Sequence, residues 1–156
     1  MLGDNPLVHS SIIDECLLEF EKSKVDYLAT VTKEYPYADK KLRKFLIGIR
    51  VQVFSYYTLL KCEELAKKKQ YREHATSFIA EHPEIFKTKF VEAKGKFNVL
   101  NRPELTFAVN YKENLDLIRE IYKVCFELDN NFSIENAIKA FDSNIRLNSL
   151  MYPKGE

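Results

Sequence analysis

From Phe45 to Leu60 the chain reads FLIGIRVQVFSYYTLL, with Arg50 as the only charge. Lysines and arginine frame it: Lys40, Lys41, Arg43 and Lys44 lie before it, and Lys61 and Lys67-Lys68-Lys69 after it. A segment apolar on every face must be enclosed by protein or by lipid. Sixteen residues fall short of the roughly 20 that a spanning helix needs, and Arg50 and Gln52 sit near its middle. Burial at the centre of a folded domain is the expectation, with no membrane partner.

The spacing Leu42, Leu46, Ile49, Val53, Tyr56, Leu60 fits the seam of a closely packed helix pair. It predicts a central helix over about 39–69, capped by Asp39, with Gly48 and Ser55 letting a neighbouring backbone approach. Around it the pattern predicts further helices. One starts at Ser10 or Ser11 and ends before Pro36, and another follows Asn110 and Glu113, with Leu115, Ile118, Ile121, Tyr122, Cys125 and Phe126 inward. A last one is capped by Ser133, with Ile134, Ala137, Ile138, Phe141 and Ile145 inward. Residues 86–100 are ambiguous. Phe86, Phe90, Ala93, Phe97 and Leu100 fit a helix, whereas Lys94-Gly95 suits a hairpin between Thr88–Ala93 and Lys96–Leu100. Few glycines and prolines, four and five, weigh against an all-β chain. The fold class expected from sequence is therefore all-α: a single domain over 1–156, a compact bundle of five to seven helices around the buried 39–69 helix.

Three cysteines, Cys16, Cys62 and Cys125, are widely spaced and contain no CxxC pair, which excludes zinc-ribbon and thioredoxin-type readings. Buried reduced thiols in a cytoplasmic protein are the expectation, and the first residues show no secretory signal pattern. His74 and His82 stand eight residues apart, too far along a straight helix to share one metal ion. Neither lies in an HExxH or di-iron pattern, so no metal and no cofactor are expected.

Net charge is +1, unevenly placed: −4 over residues 1–38, +8 over 39–102 and −3 over 103–156. That split fits internal complementarity between packed elements, or a surface for an anionic partner. Arg50 and Gln52 are expected as buried polar groups. For Arg50 the readings are a carboxylate partner on the first or last helix, a stem reaching the surface, or the lining of an anion-binding cleft.

No phosphate loop, nucleophile elbow or Cys–His signature occurs. The function read from the sequence is thus a non-enzymatic helical protein–protein module, an adaptor, inhibitor or assembly subunit, with no small-molecule substrate. Its partner would be another protein or a second copy, bound through Tyr35, Tyr37, Phe90 and Phe97. The alternative is a nucleic-acid-binding subunit contacting phosphates through 39–102. Its contacts would be Lys40, Lys41, Arg43, Lys44, Lys67, Lys68, Lys69, Arg72, Lys87, Lys89, Lys94 and Lys96, a set interleaved with aromatics. The pI of about 7.7 is low for that role.

Overall fold

A computed structural model describes residues 3–73 and 75–151. His74 and the tail Tyr152–Glu156 lie outside the described residues. The order of elements is α1 (Ser10–Ser23), β1 (Tyr27–Thr30), β2 (Gln52–Phe54), α2 (Tyr56–Leu65), α3 (Gln70–Glu73), α4 (Ala75–Glu81), β3 (Thr88–Val91), a 3₁₀ helix (Gly95–Leu100), α5 (Lys112–Phe126), α6 (Ile134–Ser143) and α7 (Ile145–Met151). The strands form one mixed sheet in the order β2-β1-β3, with β2 antiparallel and β3 parallel to β1.

Strand side chains alternate between faces, and this sheet separates two cores accordingly. Leu28 enters one core with α1, α5, α6 and α7, and Tyr27 and Ala29 enter the other with α2, α3 and α4. The result is three layers, helices on both faces of a sheet, and not the expected all-α bundle.

The expected helix over 39–69 is the largest correction. Residues 45–51 are central and mostly buried, but extended. Phe45 N–H donates to Val31 O, Leu46 N–H to Leu100 O and Ile47 N–H to Leu105 O, while Phe107 N–H donates back to Ile47 O at 2.7 Å. Only the end of the predicted segment is helical, as α2, whose cap Ser55 accepts from Thr58 N–H. The physical reason is that a run apolar at every position satisfies a period of 3.6 and a period of 2 equally well. β-Branched Ile47, Ile49, Val51 and Val53 then favour the extended form, and Gly48, at φ 99°, cannot continue a helix.

Other boundaries move for related reasons. Helix α1 stops at Ser23, where Lys24 adopts the left-handed conformation at φ 50°, and Tyr27–Thr30 pairs as a strand where the helix was expected to continue. Residues 86–100 are neither helix nor hairpin: Thr88–Val91 pairs parallel to β1, and Gly95 opens the 3₁₀ helix. At α5, Asn114 Oδ1 accepts from Asn110 and Tyr111 N–H, in place of the expected Asn110–Glu113 pair. Ser133 does cap α6, accepting from Asn136 N–H. Ile145, expected inward, is 89% exposed, because the helix breaks at Asn144 and α7 restarts in a new phase.

All three cysteines are buried thiols. Burial pushes the Cys16 thiol up to about 12, so almost no thiolate forms there at neutral pH. A thiol-reactive dye at pH 8 should therefore label the native protein slowly and the denatured chain at three sites. Immediate labelling of Cys16 in the native state would contradict this packing.

Candidate functional site

Below α4 the second core contains a polar cluster built from four segments. Tyr27, on β1, is fully buried, and its hydroxyl lies 2.6 Å from that of Tyr35. Gln52, on β2, donates from Nε2 to Tyr27 Oη at 2.8 Å, and Thr76 Oγ1, on the first turn of α4, donates to Gln52 Oε1 at 3.4 Å. The Arg50 guanidinium lies over the Tyr35 ring, 5.1 Å from its centroid. Strand alternation accounts for the meeting. Ala29 pairs with Gln52, so Tyr27, Arg50 and Gln52 all project to the same side of the sheet.

The loop carrying Tyr35 is pinned without regular structure. Arg43 donates from Nε to Ala38 O at 2.9 Å and from Nη2 to Pro36 O at 2.8 Å and to Ala38 O at 2.7 Å. Tyr35 N–H closes a turn onto Thr32 O. The Tyr35 ring then sits edge-on to Tyr37 at 5.5 Å and to Phe90 at 5.9 Å. Farther out, Tyr71 Oη donates to Glu81 Oε2 at 2.7 Å. The cluster spans one face of the sheet, from Tyr27, the first residue of β1, and Gln52, the first of β2, to Tyr35 in the segment that follows β1.

Burial raises the Tyr27 phenol well above its ordinary value, assisted by the neighbouring Tyr35, and burial raises Tyr35 as well. Both are therefore neutral donors and acceptors at pH 7. The unfolded chain ionises its tyrosines near pH 10, whereas the native chain keeps these two protonated. Stability is full below that pH and falls as pH rises past it. A titration followed at 295 nm should show tyrosinate appearing in a cooperative step with unfolding. Smooth, non-cooperative ionisation of every tyrosine would refute the buried pair.

Arg50 departs from the expectation of a carboxylate partner. No carboxylate pairs with it among the described residues, and its buried Nε has no hydrogen-bond partner there. Of the aromatics expected as anchors, Tyr35 is buried and Phe90 half-buried against the second core. Phe97 packs half-buried on Phe45 at 5.9 Å, and only Tyr37 is exposed.

The basic set does not converge. Lys40, Lys41 and Lys44 are exposed on the loop that Arg43 anchors, while Lys67, Lys68 and Lys69 lie between α2 and α3. Arg72 pairs with Glu63 at 3.1 Å and Lys94 with Glu92. Lys89 and Lys96 reach Glu19 and Glu15 on α1, each at 2.5 Å, and Lys87 is exposed beside β3. The basic middle thus meets the acidic first helix within the fold. Sequence reasoning singled out Arg50 and Gln52 but missed Tyr27 and Thr76. Their only signal was a polar atom placed within or beside an apolar stretch.

Among the described residues no group of three or more His, Cys, Asp or Glu is placed to hold a metal ion, and no helix is long and apolar enough to cross a membrane. His82 instead packs on Phe78, with centroids 4.2 Å apart, and meets Glu84 at 2.8 Å.

No protein-family model matches the chain. It is similar to an uncharacterized protein of Methanocaldococcus jannaschii, 27% identical over 94% of this chain and 57% of that protein. It is also similar to the spore coat polysaccharide biosynthesis protein SpsF of Bacillus subtilis, 26% identical over 79% of this chain and 45% of SpsF. The chain thus spans about half the length of the curated relatives it matches. A solved cytidylyltransferase from Leptospira borgpetersenii superposes with a TM-score of 0.73 over 99% of this chain and 58% of its own, at 18% identity. The chain has the α/β fold of that part of the enzyme. These findings overturn the reading as a non-enzymatic adaptor, or as a nucleic-acid-binding subunit, with no small-molecule substrate. The protein sharing the fold is a nucleotidyl-transferring enzyme, and a sequence relative is named for polysaccharide biosynthesis.

Proposed function

We propose that this chain forms the acceptor-holding part of a nucleotidyltransferase that activates a hydroxyl-bearing, sugar-like substrate. In that reaction an acceptor oxygen attacks the α-phosphorus of a nucleoside triphosphate. The P–O bond to the β-phosphate breaks, pyrophosphate leaves, and the attacking hydroxyl gives up its proton.

The observation that carries the reading is the polar cluster on the β1–β2 face of the sheet, inside a fold matched along nearly the whole chain. Tyrosine hydroxyls, a glutamine amide and a threonine suit a ligand rich in hydroxyl groups, since each can both donate and accept. The sequence carries no glycine-rich phosphate loop, which supports assigning the acceptor side, and not the triphosphate cradle, to this chain.

The test is thermal unfolding of the protein with CTP, CMP and a panel of sugars and sugar phosphates, together with a pyrophosphate-release assay. A ligand at 100 times its Kd adds about 2.7 kcal/mol, which at roughly 2–4 °C per kcal/mol raises Tm by about 5–10 °C. Gln52→Leu removes one donor and one acceptor from the cluster and should weaken the effective ligand about tenfold while leaving the sheet paired. If neither nucleotide nor sugar moves Tm and no pyrophosphate appears, the reading is wrong.

A further inference from the structure

Among the described residues Arg50 is the cationic side chain at the cluster, and its charge and a hydrogen bond act on Tyr35. Its guanidinium carbon lies over the Tyr35 ring, 5.1 Å from the centroid. Tyr35 is itself fixed by Tyr27, Tyr37 and Phe90, and the loop behind it is clamped by Arg43. A cation held over an immobilised ring loses little further freedom when it binds. Yet its Nε–H, buried, finds no acceptor among the described residues. Buried donors are nearly always paired, and an exception asks for a partner that is not part of the protein. A free N–H beside a delocalised positive charge matches an oxyanion, which a guanidinium engages through two parallel hydrogen bonds.

We propose that Arg50 is the oxyanion-binding residue of this site, receiving a phosphate or carboxylate group of the substrate. The assignment rests on the acceptor-holding reading and deepens it: the substrate carries an anionic group as well as hydroxyls. Gln52 and Thr76 lie on the same side of the sheet, so the anion fixes one end of the ligand while they meet its hydroxyls.

The experiment is an NMR titration of the arginine Nε–H signals in the intact chain, with inorganic phosphate, CMP and glucuronate as separate probes. The expected result is a saturable shift of the Arg50 signal at concentrations that leave Arg43, Arg72, Arg102, Arg119 and Arg146 unmoved. A response to phosphate and CMP assigns the group as phosphate, and a response to glucuronate alone assigns it as carboxylate.

Arg50→Lys keeps the charge but loses the Nε–H and the planar fork, so it should weaken the responding probe tenfold or more. If that variant fails to fold, the wild-type titration still decides. An Arg50 signal that moves only in step with the exposed arginines overturns the proposal, as does unchanged affinity in a folded Arg50→Lys. Saturable binding of a probe without pyrophosphate release or a nucleotide effect on Tm would leave Arg50 assigned and remove the nucleotidyl-transfer reading. The reverse pattern would do the opposite.

Discussion

Replacing Gly48 with alanine should leave little folded protein. A Cβ built there falls 2.4 Å from Ala108 N and 2.4 Å from Phe107 C, both backbone atoms, and the residue holds φ 99°. Side chains can turn away from an intruding methyl, but backbone cannot. The neighbouring strand is held by the Phe107 N–H bond to Ile47 O at 2.7 Å, so relief requires breaking the contact that joins residues 45–47 to 105–107. Strained φ alone costs about 1–3 kcal/mol, and overpacking a close-packed core adds about 1–3 more. Against a total stability of about 5–15 kcal/mol the sum is a large share. Urea unfolding should show the midpoint fall steeply, or only aggregated protein be recovered. Gly95→Ala is the internal control. Gly95 is also at positive φ, 57°, but has nothing within 4 Å, so its loss should be limited to the backbone strain. Equal destabilisation by the two substitutions would show that crowding at Gly48 is not the cause.

Gly48 also shows where a reading from sequence succeeds and where it stops. A glycine in an apolar run signals close approach of another backbone, and that approach is real, though it joins extended segments and not helices. Ends of helices with polar side chains were legible: Ser133 caps α6, because its hydroxyl acts within three residues of itself. Faces were less so. On α5 the buried residues are Leu117, Ile118, Ile121 and Cys125, whereas Tyr122 and Phe126, counted on the inward face, are largely exposed. Burial there is set by how α6 and α7 lie across the helix, which no local pattern encodes.

The sheet was hidden for a similar reason. Strand β1 pairs with β2 across more than twenty residues and with β3 across more than fifty. Its own four residues, buried on both sides, show no alternation to betray them. The candidate site was half visible. Arg50 and Gln52 stand out as polar residues in an apolar run, but Tyr27 and Thr76 reach Gln52 over separations of 25 and 24 residues. Only the strand register makes them neighbours.

Ile49→Asp should be as damaging as the Gly48 substitution, by a different route, and it tests the extended conformation of residues 45–51 directly. Ile49 is fully buried and belongs to the first core, while the adjacent Arg50 projects to the cluster on the other face. A carboxylate at 49 would enter a layer of Leu28, Leu46, Phe107 and Phe141 side chains. Burying a charge without a partner there costs several kcal/mol, or forces the group to take up a proton. Protonation gives the prediction a sign: burial raises the carboxyl's folded pKa above its unfolded value. The variant should therefore be most stable in mild acid and lose stability as pH rises towards neutrality. Ile49→Val removes one methylene and should cost only about 0.5–1.5 kcal/mol. Denaturant unfolding of both variants at pH 5 and pH 7.5 is the measurement. An Ile49→Asp protein as stable as Ile49→Val at both values would place residue 49 at the surface, and the alternation that directs Arg50 into the candidate site would fall with it.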